Sequence, residues 1–156
     1  MITYAERVIF RPKHIRLLRK VQESVGRVSK AWGNELRCHE LARAVWLVVY
    51  GRRRKHRLVV VDGKCGPIEH SWLCFPDGMI LDPYVPGRAP AVQIIDPFVG
   101  TYRPGETRHD IRHSIVHQLV IEMRGGVTSR TRRKKLMEIS PGSLPTPHSL
   151  FTGNST

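Results

Sequence analysis

The chain has 156 residues, enough for one domain with a substantial hydrophobic core, and it carries a formal net charge of +13. Its longest apolar run, residues 44–50, is far too short to cross a bilayer, so the sequence excludes a membrane span. The first residues lack the pattern of a signal peptide, and three irregularly spaced cysteines do not suggest a disulfide framework. Together these features predict a cytoplasmic protein.

The basic excess, 26 Lys and Arg against 13 Asp and Glu, favours partners that are polyanions. Nucleic acid, an anionic membrane surface and an acidic protein all satisfy that requirement. Solubility alone, or a basic tail, would also account for such a charge. The charge therefore widens the choice of partners without selecting one.

Two helices are predicted in the first third of the chain. Apolar residues at helical spacing follow Pro12 as far as about Lys30, with basic residues between them. A second helix is predicted from about Leu36 to Tyr50, with Asn34 as its cap and Gly51 after its end. One face of this second helix is formed by Cys38, Leu41, Ala42, Val45, Val48 and Val49.

The densest run of positive charge lies in the loop that follows. It could hold phosphates through charge alone, because no aromatic residue is interleaved for base stacking. The residues concerned are Arg52, Arg53, Arg54, Lys55 and Arg57.

An antiparallel sheet is predicted in the middle of the chain. A strand over Leu58–Asp62 leads through an Asp-Gly-Lys turn to a hairpin, whose strands are Ile68–Phe75 and Met79–Tyr84. Between them, Pro76-Asp77-Gly78 has the composition of a three-residue turn. A further strand is predicted over Ala91–Asp96.

The length of the hairpin turn determines which side chains share a face. A three-residue loop pairs Phe75 with Met79, so that Trp72 lies opposite Asp82. His70 and Asp82 then become diagonal neighbours on one face, within side-chain reach. A two-residue loop would place them on opposite faces. The turn therefore predicts an imidazole beside a carboxylate.

The last part of the chain is predicted to contain a loop, a helix and a tail. Residues 97–105 are expected to form a loop, and Thr107 with Asp110 resembles a capping box that opens a helix over Arg108–Arg124. The domain is predicted to span residues 1–126. Residues 127–156 form a basic, Pro- and Gly-rich tail, expected to be mobile or to order on a partner. Its residues for nucleic acid or an acidic partner are Arg132, Arg133, Lys134 and Lys135.

Three distant residues together have the chemistry of a nucleophilic site. Cys38 lies near a helix N-terminus, where the helix dipole and free amides favour a thiolate. His70 would take the thiol proton and later protonate the leaving group, and Asp82 would fix the imidazole tautomer. Trp72, on the same face, would shield the His–Asp contact from water.

The order of these motifs resembles a known family. The stretch 38–45 on a helix, Glu69-His70-Ser71-Trp72 on a strand and 77–83 on the next resemble the transglutaminase-like branch of the papain-like cysteine enzymes. This resemblance spans roughly residues 32–84. It implies a papain/transglutaminase-like α+β core, in which an N-terminal helix carrying the Cys packs on a small antiparallel sheet.

The resemblance also implies an activity: acyl transfer from the amide or ester carbonyl of a protein or peptide, without a cofactor. The product would arise by peptide hydrolysis, deamidation or transfer to an amine. For the oxyanion, Trp32, Asn34 or a backbone amide is expected to donate a hydrogen bond.

A second group of residues suggests metal chemistry. His109, His113 and His117 are spaced by four residues, so they would form one ridge of a helix, and an adjacent pair could bind a transition metal. Three histidines along one helix rarely converge on one ion. The His39-Glu40 pair begins like a zinc-protease helix, but Arg43 occupies the position of the second His. No metal site is assigned.

Two functions compete with the enzyme hypothesis. The charge and the Arg run fit a non-enzymatic, basic nucleic-acid-binding module. Alternatively, the chain could be a catalytically inactive member of the fold that acts as an interaction protein. In that case Cys38 should be walled off and far from His70.

Overall fold

The computed structural model describes residues 12–50, 57–84, 93–95 and 101–138 of the chain. The structure is α+β, as the sequence predicts, with one antiparallel sheet and helices packed against it. The helices are α1 (Pro12–Trp32), α2 (Cys38–Tyr50), α3 (His113–Met123) and α4 (Arg130–Met137), with a short 3-10 helix at Gly33–Glu35. The strands are β1 (Val59–Cys65), β2 (Ile68–Cys74), β3 (Ile80–Asp82), β4 (Gln93–Ile95) and β5 (Tyr102–Pro104).

The β2–β3 hairpin has the predicted register. Leu73 pairs with Leu81, and the Phe75 amide donates to the Met79 carbonyl at 2.8 Å. The turn is closed as its residues predict, because Gly78 adopts a φ of 86° that other residues avoid. Asp82 therefore lies on the same face of the sheet as His70 and Trp72 of β2.

The sheet has the strand order β4-β3-β2-β1-β5, and two of its features differ from the prediction. Strand β1 runs through the predicted Asp-Gly-Lys turn, and the chain reverses instead at Gly66-Pro67, where Gly66 has a φ of 60°. The predicted loop at 97–105 contains β5, which pairs with β1. Strand β1 is paired on both sides, with β2 and with β5. A turn at residues 62–64 would remove backbone hydrogen bonds on both sides, so the pairing favours the longer strand.

Gly63 makes the β1–β5 pairing possible. A Cβ at this position would collide with the Arg103 carbonyl oxygen and lie 2.9 Å from Pro104 Cα. It would also lie 2.9 Å from the indole of Trp72. The bare backbone of Gly63 thus admits the edge strand and the indole at the same place.

The helices form layers on one face of the sheet. Helix α2 packs on β1 and β2, α3 packs on α2, and α1 packs on α3. Four residues of the predicted apolar face of α1 are buried, Leu18, Val21, Val25 and Val28, and the fifth, Ile15, is half-buried. None of the described helices combines the length and apolar character needed to traverse a membrane. Buried members of the main core include Leu18, Val21, Val25, Val28, Leu41, Val45, Leu73, Leu81, Ile115 and Leu119.

Two predicted helix starts are wrong. Helix α2 begins at Cys38 rather than at Leu36, because Asn34 lies in the 3-10 helix and the chain is extended at Leu36. Helix α3 begins at His113 rather than at Arg108, and its cap residue makes no side-chain capping bond. Asp110, the acidic member of the expected capping box, instead accepts hydrogen bonds from arginine side chains.

A buried ion pair joins the starts of these two helices. Arg112 donates from Nε and Nη2 to the two carboxylate oxygens of Glu40, at 2.6 and 2.8 Å. Glu40 is fully buried, so the paired, planar contact is what allows its charge to remain inside the protein.

The chain after residue 126 is not only a tail. Helix α4 lies in the predicted tail, where Ser129 caps it by accepting from the Arg132 amide. Leu136 and Met137 pack against the main core. The chain therefore remains packed on the domain through Met137, beyond the predicted boundary at 126. Residues 139–156 lie outside the described residues.

Substitution of Gly63 tests the role of this glycine in the sheet. Gly63→Ala should lower the free energy of unfolding by about 2–3 kcal/mol, because the new methyl group collides with the β5 backbone. The measurement is urea unfolding followed by circular dichroism. Gly26→Ala is the matched control: a Cβ there meets nothing within 4 Å, and alanine in a helix should add about 0.5–1 kcal/mol. Equal stability of the two variants would contradict the packing at Gly63.

Candidate active site

A buried histidine–carboxylate pair lies on β2 and β3. The His70 Nε2 is 2.8 Å from Asp82 Oδ2, and both side chains are almost completely removed from solvent. This contact follows directly from the three-residue hairpin turn. The predicted pairing of imidazole and carboxylate is confirmed.

Asp82 is held by donors from three parts of the chain. The Tyr102 hydroxyl donates to Oδ2 at 2.6 Å, and the Tyr84 amide donates to Oδ1 at 2.9 Å. Burial and the negative charge of Asp82 raise the pKa of Tyr102 far above its ordinary value, so the phenol stays protonated and donates. Both carboxylate oxygens are thus satisfied, which fixes the plane of the carboxylate against His70.

Aromatic rings surround this pair. Trp72 stacks on His70 with ring centroids 6.1 Å apart and an interplanar angle of 27°, and Tyr102 meets Trp72 edge-on at 5.1 Å. Trp72 therefore lies on the face predicted for it. The rings keep water away from the His70–Asp82 contact, which strengthens that hydrogen bond.

Cys38 is the first residue of α2, and its side chain is half-buried. Burial opposes ionisation of the thiol, but hydrogen bonds with His39 and His70 outweigh it and lower the pKa of Cys38 to about 6. Its place at the N-terminus of a helix also favours negative charge. Cys38 is therefore neither walled off nor distant from His70.

His70 carries the complementary charge. Burial favours the neutral imidazole, but hydrogen bonds with Asp82 and Cys38 outweigh it and raise the pKa of His70 to about 9. Because the pKa of the thiol is lowered and that of the imidazole is raised, the two groups favour a thiolate–imidazolium pair at neutral pH. The Cys38 thiol thus interacts with the His70 imidazole, which in turn contacts the Asp82 carboxylate.

A second polar network, not predicted from the sequence, lies next to Cys38. His39 Nδ1 lies 2.7 Å from Ser71 Oγ, and the Ser71 hydroxyl donates to Asp62. Arg43 donates to both oxygens of Asp62, at 3.1 and 2.7 Å. These hydrogen bonds and one from the Arg108 amide outweigh the effect of burial and lower the pKa of Asp62.

The side chains proposed for the oxyanion lie elsewhere. Trp32 is buried in the core, and its Nε1 donates to Glu122 at 2.8 Å. Asn34 is exposed in the 3-10 helix and does not cap α2. Neither side chain is available as the sequence suggests, and the backbone amides at the start of α2 are the alternative that stays open.

The predicted basic residues are only partly on the described surface. Residues 52–55 lie outside the described residues, and Arg57 is exposed, with a φ of 41°. Arg133 turns inward: it donates to the carbonyls of Ala31 and Thr128 and lies 3.5 Å from Glu122. The remaining members, Arg132, Lys134 and Lys135, are exposed on α4.

The predicted histidine ridge is broken. His109 precedes α3 and is exposed, so only His113 and His117 lie on the helix. Within the part of the chain that the structure describes, no three His, Cys, Asp or Glu side chains are placed to hold one metal ion. The four-residue spacing misleads because α3 starts one turn later than expected.

Four residues of the site were not predicted from the sequence: Tyr102, His39, Ser71 and Asp62. Tyr102 lies in a three-residue strand inside a stretch rich in Pro and Gly, which gives no strand pattern. For His39, the available signal was its position directly after the candidate nucleophile.

No family model matches this chain, and comparisons with the curated proteins and with the solved structures return no match.

Alkylation tests the ionic state of Cys38. Its rate with iodoacetamide should rise as the pH passes about 6 and then level off, because the reactive species is the thiolate. With the anion iodoacetate, the rate should fall again above about pH 9, where His70 loses its charge. Mass spectrometry of the labelled peptides gives both rates.

Cys74 is an internal control in the same sample. Burial and the nearby Asp77 raise the pKa of its thiol, so its alkylation should keep rising into the alkaline range. If Cys38 and Cys74 show the same pH profile, no thiolate is stabilised at Cys38.

Proposed function

We propose that this protein is a cysteine-dependent acyl-transfer enzyme of the peptidase, deamidase or transglutaminase type. Cys38 is the nucleophile, His70 the general base and acid, and Asp82 the residue that orients the imidazole. The observation that carries the proposal is the continuous line from Asp82 through His70 to a sulfur at the first residue of a helix.

The first half-reaction follows from these positions. The Cys38 thiolate attacks the carbonyl carbon of an amide or ester, and a C–S bond forms as the carbonyl π electrons move to oxygen. When the tetrahedral adduct collapses, the C–N or C–O bond breaks and the His70 imidazolium protonates the leaving group. An acyl–Cys38 thioester and a neutral His70 remain.

The second half-reaction reverses the roles. His70 takes a proton from water or from an amine as that nucleophile attacks the thioester. The C–S bond then breaks, and the thiolate returns beside the imidazolium. Water gives a carboxylic acid, so the reaction is hydrolysis or deamidation, whereas an amine gives a new amide.

The negative charge that develops on the carbonyl oxygen needs hydrogen-bond donors close to the Cys38 sulfur. The first amides of a helix lack intrahelical acceptors and point along its axis, so those of α2 at Cys38 are suited to this role. The indole of Trp32 is already bonded to Glu122, and Asn34 is exposed, so a side-chain donor is less well supported.

The arrangement of elements supports a papain/transglutaminase-like core. The nucleophile is on a helix, the histidine on the following β2 and the carboxylate at the end of β3, the order that the family resemblance implies. The substrate would be a protein or peptide with an accessible amide or ester carbonyl. The proposed steps use only side chains and backbone amides of this chain.

Acylation by an activated ester tests the proposal and does not require the natural substrate. p-Nitrophenyl acetate should transfer one acetyl group to Cys38, as measured by peptide mass spectrometry, and hydroxylamine should remove it because the bond is a thioester. Asp82→Asn should slow the transfer by about tenfold or more, because the imidazole loses its orienting acceptor.

The matched variants are Cys38→Ala and Cys74→Ala. The first should remain unacylated, and the second should react like the unmodified protein. Acetylation confined to lysines, or acetylation that Cys38→Ala leaves unchanged, would refute the enzyme proposal.

We also propose a second function, binding of nucleic acid through a basic surface on α1 and α4. Arg133 of α4 bonds to the end of α1 by donating to the Ala31 carbonyl at 3.0 Å. The apolar residues of α1 face the core, which leaves its cations to solvent. The exposed residues of this α1–α4 surface are Arg16, Arg19, Lys20, Lys30, Arg130, Arg132, Lys134 and Lys135.

Charge reversal tests this surface. Arg132→Glu with Lys135→Glu should weaken binding to a short DNA duplex and reduce the slope of log K against log salt by roughly 2, because two phosphate contacts are lost. Fluorescence anisotropy at several salt concentrations gives both quantities. Lys64→Glu with Arg103→Glu, on the β1–β5 edge, changes the net charge equally and should preserve more of the affinity. Equal loss in both variants would show that only the total charge matters.

A further inference from the structure

His39 is buried and anchored although it follows the nucleophile directly in the chain. Its ring nitrogen Nδ1 lies 2.7 Å from the hydroxyl oxygen of Ser71, a residue of β2 that is completely buried. His39 directly follows Cys38 in α2, and its ring lowers the pKa of the Cys38 thiol. A second imidazole is therefore held at the thiol, on a support independent of Asp82.

The hydrogen bonds fix the tautomer of this ring. A serine hydroxyl has a single proton, and that of Ser71 is donated to Asp62. The Ser71 oxygen can therefore only accept from His39, which requires the proton of a neutral His39 to be on Nδ1. The nitrogen left for the sulfur is Nε2, and in this tautomer it carries a lone pair that can accept a proton.

The charges around His39 come from several elements. On α2, Arg43 donates to the His39 carbonyl at 3.0 Å and to Asp62. Among the strand residues, Asp62 acts on His39 through Ser71, and Glu69 interacts electrostatically with His39. Arg108 neutralises part of the negative charge, since it bonds to Glu69 and its amide donates to Asp62.

We propose that His39 is a second catalytic residue of this site, an imidazole that shares the proton of Cys38 with His70. The proposal rests on the proposed function. Either ring can hold the proton that leaves the sulfur: an S–H bond breaks, and an N–H bond forms at Nδ1 of His70 or at Nε2 of His39. Ser71 is then a positioning residue, because it acts on the sulfur only through His39.

The two rings are supported by separate carboxylates. His70 and Ser71 are adjacent in β2, so their side chains point to opposite faces of the sheet. His70 is oriented by Asp82 and His39, through Ser71, by Asp62. Removal of one support leaves the other intact, so the site should lose reactivity in two steps rather than one.

The test compares the alkylation of Cys38 by iodoacetamide at pH 7 in four proteins. His70→Ala and His39→Ala should each slow it by about twofold, because a rise of about one pKa unit from about 6 leaves half of the thiol ionised at pH 7. The double variant should fall to the rate of Cys74. His117→Ala, an exposed histidine of α3, should react like the unmodified protein.

Outcomes that overturn the proposal differ from those that overturn the enzyme function. If the unmodified protein reacts rapidly at Cys38, but His70→Ala alone reduces the rate to that of Cys74 and His39→Ala changes nothing, His39 is only structural. If Cys38 in the unmodified protein reacts no faster than Cys74, the proposed function itself fails.

Two measurements avoid dependence on variants that fold poorly. Nitrogen-15 NMR of the unmodified protein should find neutral His39 as the Nδ1–H tautomer, and the Nε2–H tautomer would overturn the proposal. Ser71→Ala keeps both histidines. In the pH profile of alkylation by iodoacetate, it should move the lower limb to higher pH and leave the upper limb, which His70 sets, unchanged. An unchanged lower limb in folded Ser71→Ala would equally overturn it.

Discussion

The site depends on how a charge is kept inside the protein at Asp82. A carboxylate removed from water is tolerated only if hydrogen bonds replace its solvation. Asp82 forms these hydrogen bonds with His70 of β2, with Tyr102 of β5 and with the backbone amide of Tyr84, two residues further along the chain. The buried Asp82 carboxylate is therefore stabilised only when these segments are folded together. The same hydrogen bonds orient the His70 imidazole towards Cys38.

The same principle operates on the opposite face of β2. Asp62 accepts from Arg43, Ser71 and the Arg108 amide, so one carboxylate fastens α2 and the segment before α3 to the sheet. Breaking a buried pair of this kind costs about 3–5 kcal/mol, because the remaining charge is left without a partner. The polar contacts that surround the thiol are thus also the contacts that hold the helix layer on the strands.

The sequence was most informative where local chemistry decides the structure. The residues Pro76-Asp77-Gly78 favour a three-residue turn, and from that turn the register and the His70–Asp82 contact follow. The apolar spacing in α1 likewise predicted which of its residues are buried. In both cases the relevant interactions lie within a few residues of each other along the chain.

The sequence was misleading where distant contacts decide. Nothing in the residues near Tyr102 indicates a strand, because β5 exists through its pairing with β1 across Gly63. Thr107 and Asp110 have the spacing of a capping box, yet Asp110 accepts hydrogen bonds from Arg37 and Arg108 instead. The position of His39 after Cys38 was a signal, but its support by Ser71 and Asp62 follows from the pairing of β1 with β2.

Strand β5 has a consequence for the behaviour of the protein in concentrated solution. An outer strand exposes unpaired backbone groups to which another chain can add, and proteins limit this hazard with short edges, charges and proline. Strand β5 has three residues, of which Arg103 is exposed and charged and Pro104 has no amide hydrogen. The segment that delivers a phenol to Asp82 thus also blunts this side of the sheet against aggregation.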